Sequence, residues 1–264
     1  MTQSPTPIHV AVREHYAERI KKSASCCATE SACTPESELY PVDLLTTVPS
    51  DVGATTYGCG DPITLAALQP GQTVIDLGSG AGLDCLLASQ KVGAAGRVIG
   101  VDMTPEMIER ARANAKRINA TNVEFRHGYL EDLPVEADSA DVVISNCVIN
   151  LSPDKAKVFA EIFRVLKAGG CLAVSDIVTD GELPAEVRAS LSAWAGCVAG
   201  AVRAKEYISL MEAVGFKDIS IQPVFFDAEK MDEVLGDIKL DLSAYSKEAM
   251  YKAVYSAKIT ARKN

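Results

Sequence analysis

T-V-I-D-L-G-S-G-A-G-L-D-C-L-L-A-S-Q, from Thr73 to Gln90, decides the fold. Thr73 to Leu77 is a short apolar run suited to a buried strand, the glycines at 78, 80 and 82 allow a tight turn, and Leu83 opens a helix. Strand, glycine turn and helix begin a βαβ unit. Downstream, R-V-I-G-V-D (97–102) is a second strand, and Thr104 with Pro105 starts a helix over 106–119, threonine as N-cap and proline in the first position. N-V-E-F-R-H and D-V-V-I-S-N follow as strands. A helix from Lys155 to Leu166 is expected to end at Gly169-Gly170, and C-L-A-V-S-D supplies a fifth strand. Alternating strands and helices predict an α/β fold with a mostly parallel sheet.

Past Asp176 the pattern changes. L-P-A-E-V-R through W-A-G-C-V-A-G-A reads as helices outside the alternation, a cap over a cleft. A-K-E-Y-I-S-L-M-E-A-V-G-F is a further helix closed by Gly215. K-D-I-S-I-Q-P-V-F and Y-K-A-V-Y-S-A-K-I-T-A then read as an antiparallel pair at the sheet edge. Upstream, a helical stretch from Val10 to Lys22 gives way to the aperiodic S-A-S-C-C-A-T-E-S-A-C-T-P, read as a mobile lead-in or lid. The chain therefore divides into a lead-in (1–50), a cofactor-binding core (51–180), and a substrate-binding cap with the C-terminal part that completes the sheet (181–264).

Lys and Arg number 26 and Asp and Glu 35 among 264 residues, a net charge of −9 that repels a phosphate backbone and argues against nucleic acid. No apolar stretch approaches the ~20 residues of a membrane-spanning helix, and the N-terminus lacks a charged segment followed by an apolar one. A cytoplasmic monomer with no membrane partner is expected. Eight cysteines scattered through a chain with a large core are expected to be reduced thiols.

The glycine turn reads D-x-G-x-G-x-G, not the G-x-G-x-x-G of pyrophosphate-binding folds. Gly78, Ser79, Gly80 and Gly82 bring backbone N–H groups to a ligand at a helix N-terminus. Asp76 suits a ligand ammonium group, which S-adenosylmethionine carries and NAD does not. Asp102 ends the second strand, where it can accept both ribose hydroxyls, with Met103 against the adenine. Gly128, Tyr129, Leu130 and Glu131 form a candidate adenine-side segment. The competing readings are a plain βα turn with a helix-capping Asp102, and a dehydrogenase.

Three cysteines stand in Gly-rich or helix-capping contexts: Cys59 in Y-G-C-G-D-P, Cys147 in S-N-C-V-I-N and Cys197 in W-A-G-C-V-A-G-A. Thiolates select soft centres, so a thiophilic substrate beside a cofactor is implied. Cys147 ends the fourth strand, at the sheet end where such folds bind ligands. Cys85 and Cys171 read as buried hydrophobes, and Cys26 and Cys27 as either transient metalloid traps or inert thiols. Asn146 is read as holding a loop or touching the cofactor, Asn150 as capping a turn, His127 as a packed or satisfied residue, and Trp194 as a packing anchor for the cap.

The D-L-G-S-G-A-G fingerprint resembles class I S-adenosylmethionine-dependent methyltransferases, which implies a Rossmann-like core. With Y-G-C-G, S-N-C-V-I-N-L-S-P-D-K and W-x-x-C-x-x-G-A, the chain from about Cys33 to about Phe216 is similar to bacterial arsenite methyltransferases. The resemblance implies transfer of methyl groups from S-adenosylmethionine, leaving S-adenosylhomocysteine, to As(III) or its thiol conjugates, in detoxification. It matches Cys59, Cys147 and Cys197 to the arsenic-binding cysteines and Cys33 to a cysteine of thiol exchange. Tyr57 and Asn146 join the cofactor set, and intracellular thiols such as glutathione or a thioredoxin-type reductant become partners. S-C-C-A-T-E replaces the family's acidic stretch before Cys33. Methylation of another small molecule, or metalloid binding without catalysis, are the alternatives.

Overall fold

The computed structural model describes residues 5–25, 39–53, 58–181, 185–190, 194, 199–225 and 253–264. Seven strands form one sheet: β1 (Thr73–Leu77), β2 (Arg97–Asp102), β3 (Val123–His127), β4 (Ala140–Asn146), β5 (Leu166–Thr179), β6 (Lys217–Val224) and β7 (Val254–Arg262), in the order β3-β2-β1-β4-β5-β7-β6. Neighbours are parallel from β3 to β5, and β7 runs antiparallel to both β5 and β6. The expected antiparallel pair thus lies at the sheet's edge, with β6 outermost.

The helices are α1 (Pro7–Ser25), α2 (Val42–Leu45), α3 (Ser50–Gly53), α4 (Pro62–Ala66), α5 (Leu83–Val92), α6 (Pro105–Arg117), α7 (Lys155–Val165), α8 (Ala185–Ala189) and α9 (Ala204–Val214). Two apolar layers hold them to the sheet. On one face Ile75, Leu77, Val143 and Val174 meet α7 and α9 through Phe159, Ile162, Tyr207 and Met211. On the other, Val74, Val98, Val142 and Ile144 meet α5 and α6 through Leu86, Leu87, Ile108 and Ala111. Each fully buried aliphatic side chain contributes about 1.5–3 kcal/mol.

Several element limits differ from the sequence reading, two of them with a local cause. Helix α7 stops at Val165, because Leu166 is already extended (φ −69°, ψ 137°). The expected stop at Gly169-Gly170 lies inside β5 instead, where the β4–β5 register shifts between Ala140 and Val142. Helix α1 begins earlier than Val10: Thr6 Oγ1 accepts the His9 N–H, and the Thr6 N–H donates to His9 Nδ1. This is a reciprocal cap with histidine in the third helical position. Thr104 also stands at an N-cap, but its side chain makes no cap bond; Asp102 Oδ1 instead accepts the Thr104 N–H.

A third apolar cluster lies beyond the strand ends. It joins Val12 and Tyr16 of α1 to Cys59, Met103, Cys147, Val187 of α8, Trp194 and Ala199. Lead-in and cap residues therefore share one core above the C-terminal ends of β1 and β4. Of the expected cap helices, α8 and Trp194 are described, and Trp194 Nε1 donates to the Arg188 carbonyl. Among the described residues no helix is long and apolar enough to cross a membrane.

Candidate functional site

β1 and β4 are neighbours whose following segments diverge, β2 lying on one side and β5 on the other. This is the switch point at which doubly wound sheets open a crevice. Gly78 (φ +65°), Gly80 (φ +51°) and Gly82 (φ +94°) make the turn after β1 in the left-handed region. A Cβ at Gly78 would strike Val148, whereas one at Gly80 meets no protein atom within 4 Å. Gly80 therefore faces open cleft. Ser79 lines the same cleft, and its buried hydroxyl has no partner among the described residues.

Asp102 Oδ2 accepts the Gly80 N–H at 2.9 Å and Oδ1 accepts Thr104's at 2.8 Å. Each oxygen retains a lone pair, so the carboxylate can still receive two hydroxyls. Met103 lines the cleft beside it, and its carbonyl accepts from His127 Nε2 at 3.0 Å. His127 is exposed rather than packed, yet its ring is satisfied. Asp76 is buried in β1 and accepts the Cys85 thiol; the cleft wall itself carries Asp84, from the first turn of α5. Burial pushes Asp84 up to about 6, against the pull of its bonds from Tyr40 and Asn146. Burial likewise raises Asp76 and Asp102. Among the described residues, none of the three makes an ion pair, so this end of the cleft suits a cation.

The adenine-side segment also lines the cleft, but Glu131 is engaged within the protein. It accepts from His9 Nε2 at 3.0 Å and from the Ser152 hydroxyl. Because the Thr6 N–H donates to Nδ1, the proton of neutral His9 sits on Nε2 and points at Glu131. Burial works to raise the Glu131 carboxyl, but these donors outweigh it and hold it below its usual range. His9, Val12 and Tyr16 thus bring α1 into the cleft wall. The sequence reading missed them, although Thr6-Pro7 repeats the Thr-Pro helix start seen at Thr104-Pro105.

The sulfur side joins the cofactor side at Cys147. This residue lines the cleft, is buried, and has φ +58°, a left-handed seat unusual for a side chain with a Cβ. Its N–H donates to the Ser175 carbonyl at 2.7 Å. The structure joins Cys147 to Cys59 as a disulfide, Cα–Cα 5.8 Å, across 88 residues of sequence. This corrects the expectation that all thiols are free: two sulfurs close enough to share one soft centre are also close enough to bond to each other. Cys85 is buried in the core and Cys171 half-buried on β5, both unpaired as expected. Asn150 does not cap a turn; it is buried, and its amide ties the segment after β4 to Asp176 and the Ile177 carbonyl. Cys26, Cys27, Cys33, Tyr57 and Cys197 lie outside the described residues.

Fold and cleft together define a methyltransferase of the class I kind. A family model described as a methyltransferase domain matches residues 68–215. The arsenite methyltransferase of Halobacterium salinarum is 40% identical over 265 residues, covering 95% of this chain and 67% of the relative. The human arsenite methyltransferase is 35% identical, covering 86% of this chain and 64% of its own length. The crystal structure of CrArsM, an arsenic(III) S-adenosylmethionine methyltransferase from Chlamydomonas reinhardtii, superposes with a TM-score of 0.67 at 35% identity, covering 84% and 72% of the two chains. The chain belongs to the arsenite methyltransferase family and spans about two thirds of the length of these curated relatives.

Proposed function

We propose that this protein transfers methyl groups from S-adenosylmethionine to trivalent arsenic held by the thiolates of Cys59, Cys147 and Cys197, in arsenic detoxification. One observation carries the reading: two cysteines remote in sequence meet at the cleft that holds the unpaired carboxylates. The described neighbours of Cys197, Trp194 and Ala199, belong to the same apolar cluster as that pair. Cys197 is the proposed third thiolate, which would complete a trigonal site.

S-adenosylmethionine supplies a methyl carbon on a sulfonium. For that donor, the Gly78–Gly82 backbone and Ser79 hold the polar end, Asp102 the ribose, and Met103, Gly128, Tyr129 and Leu130 the base. Asp84 replaces Asp76 as the carboxylate facing the ammonium. Arsenic bound by three sulfurs keeps a lone pair directed away from them. Donation of that pair to the methyl carbon would form the As–C bond as the carbon–sulfur bond breaks, leaving S-adenosylhomocysteine and arsenic formally at As(V), which two thiol equivalents, leaving as their disulfide, would return to As(III) before a further transfer. The acceptor loses no proton, so the protein needs no general base; positioning in a dry site contributes several kcal/mol. The Cys59–Cys147 disulfide must first open, two thiol molecules supplying two hydrogens and leaving as their own disulfide. Glutathione or a thioredoxin-type reductant fills that role in a cytoplasmic setting, with Cys33 as an exchange partner.

Chromatographic arsenic speciation with purified protein, S-adenosylmethionine and glutathione tests the proposal. Cys59→Ser, Cys147→Ser and Cys197→Ser are each expected to lose more than about 100-fold in methylation rate, while calorimetry shows S-adenosylhomocysteine still bound. Full methylation by all three variants would rule out the arsenic site.

A further inference from the structure

Asn146 is the last residue of β4, directly before Cys147, and its side chain is committed to the loop that carries Cys59. Its Oδ1 accepts the Cys59 N–H at 2.9 Å. Its Nδ2 donates to the Gly60 carbonyl at 2.8 Å and to the Tyr40 hydroxyl at 2.9 Å, with Asp84 Oδ2 a longer, shared acceptor at 3.3 Å. Tyr40 in turn donates to Asp84 Oδ1 at 2.8 Å. Only one orientation of the amide fits, because the oxygen faces a donor and the nitrogen faces acceptors.

The loop lies so close over this amide that a Cβ at Gly58 would sit 2.2 Å from Asn146 Nδ2. On the far side, the Ser256 hydroxyl donates to the Cys59 carbonyl at 3.1 Å. Cys59 is thus fixed at both its N–H and its C=O. The N–H anchor comes from the residue adjacent to Cys147.

We propose that Asn146 is the positioning residue of the sulfur pair: it clamps the Cys59 loop onto β4 and so sets the distance between two of the soft-metal ligands. The functional meaning rests on the arsenic reading above, but the clamp itself is measurable without arsenic.

The test equilibrates the full chain, Asn146→Ala and Gly58→Ala in glutathione redox buffers, then quantifies the Cys59–Cys147 disulfide by alkylation and mass spectrometry. Each variant is expected to lower the pair's effective concentration by about tenfold, the scale of one lost buried hydrogen bond. The double variant should add little, since both changes release the same clamp. Phenylarsine oxide, a trivalent arsenical that captures paired thiols, should bind more weakly in parallel. Tyr40→Phe, which removes one acceptor of the amide and leaves the Cys59 anchor, should show a smaller shift in the same direction. An unchanged thiol equilibrium in Asn146→Ala and Gly58→Ala overturns the proposal, as does loss of cofactor affinity with the pair intact. Failure of the native protein to methylate arsenite would instead overturn the proposed function and leave the redox result standing.

Discussion

Between Thr73 and Thr104 the chain builds nearly the whole polar end of the cofactor cleft from one βαβ unit: glycine turn, Ser79, Asp84, Asp102 and Met103. The sulfur side is assembled differently. Cys59 and Cys147 come from separate segments, and the amide of Asn146 and the hydroxyl of Ser256 hold the first of them in place. Local sequence spacing determines the geometry of one half, and tertiary packing determines the other. The halves should therefore fail separately when altered.

The sharpest separation is expected from Asp102→Ala. Losing a carboxylate that accepts two backbone N–H groups and is proposed to hold the ribose should weaken S-adenosylhomocysteine binding about 100-fold by calorimetry. The Cys59–Cys147 thiol equilibrium should stay where it was. If the equilibrium moves as well, the two halves are one unit.

A smaller effect depends on pH. A cationic donor favours ionised Asp84, which titrates at about 6 in the free protein, so affinity for S-adenosylmethionine should rise about tenfold between roughly pH 5 and pH 7. In the ligand-free protein the same group acts in the opposite direction. Its carboxyl is raised above the ordinary 3.8, so the fold holds its proton more tightly than the unfolded chain and loses stability as pH climbs from that value through about 6. Asp84→Asn should flatten both profiles in calorimetry and thermal melts. A binding profile that keeps its slope would place the ammonium elsewhere.

The smallest expected effect concerns the backbone of the sulfur side. At φ +58°, Cys147 bears a left-handed penalty of about 1 kcal/mol that glycine escapes. Cys147→Gly should thus be more stable than Cys147→Ala by about that amount in urea titrations, with both variants inactive. Equal stabilities would mean that the surrounding bonds have relaxed the strain.

The same contrast explains what could be read from sequence. β1 and β2 have the residue limits that their apolar runs and bounding glycines imply. The end of α7 was misplaced because Gly169-Gly170 looks like a helix stop, yet the chain turns extended at Leu166 to pair with Ala140, a partner no local pattern reveals. Cys59 and Cys147 were identified individually, but their bond depends on the β1–β4 adjacency and on the Asn146 clamp. Asp84 was overlooked in favour of Asp76 for a similar reason. Two carboxylates eight positions apart differ only in which faces the crevice, and the packing of Cys85 and Tyr40 decides that.

The left-handed seat of Cys147 also bears on how such a chain drifts. A substitution to glycine there relieves the backbone strain but gives up a buried side chain and its bond to Cys59, so losing the sulfur is not the stabilising change that the φ angle alone suggests.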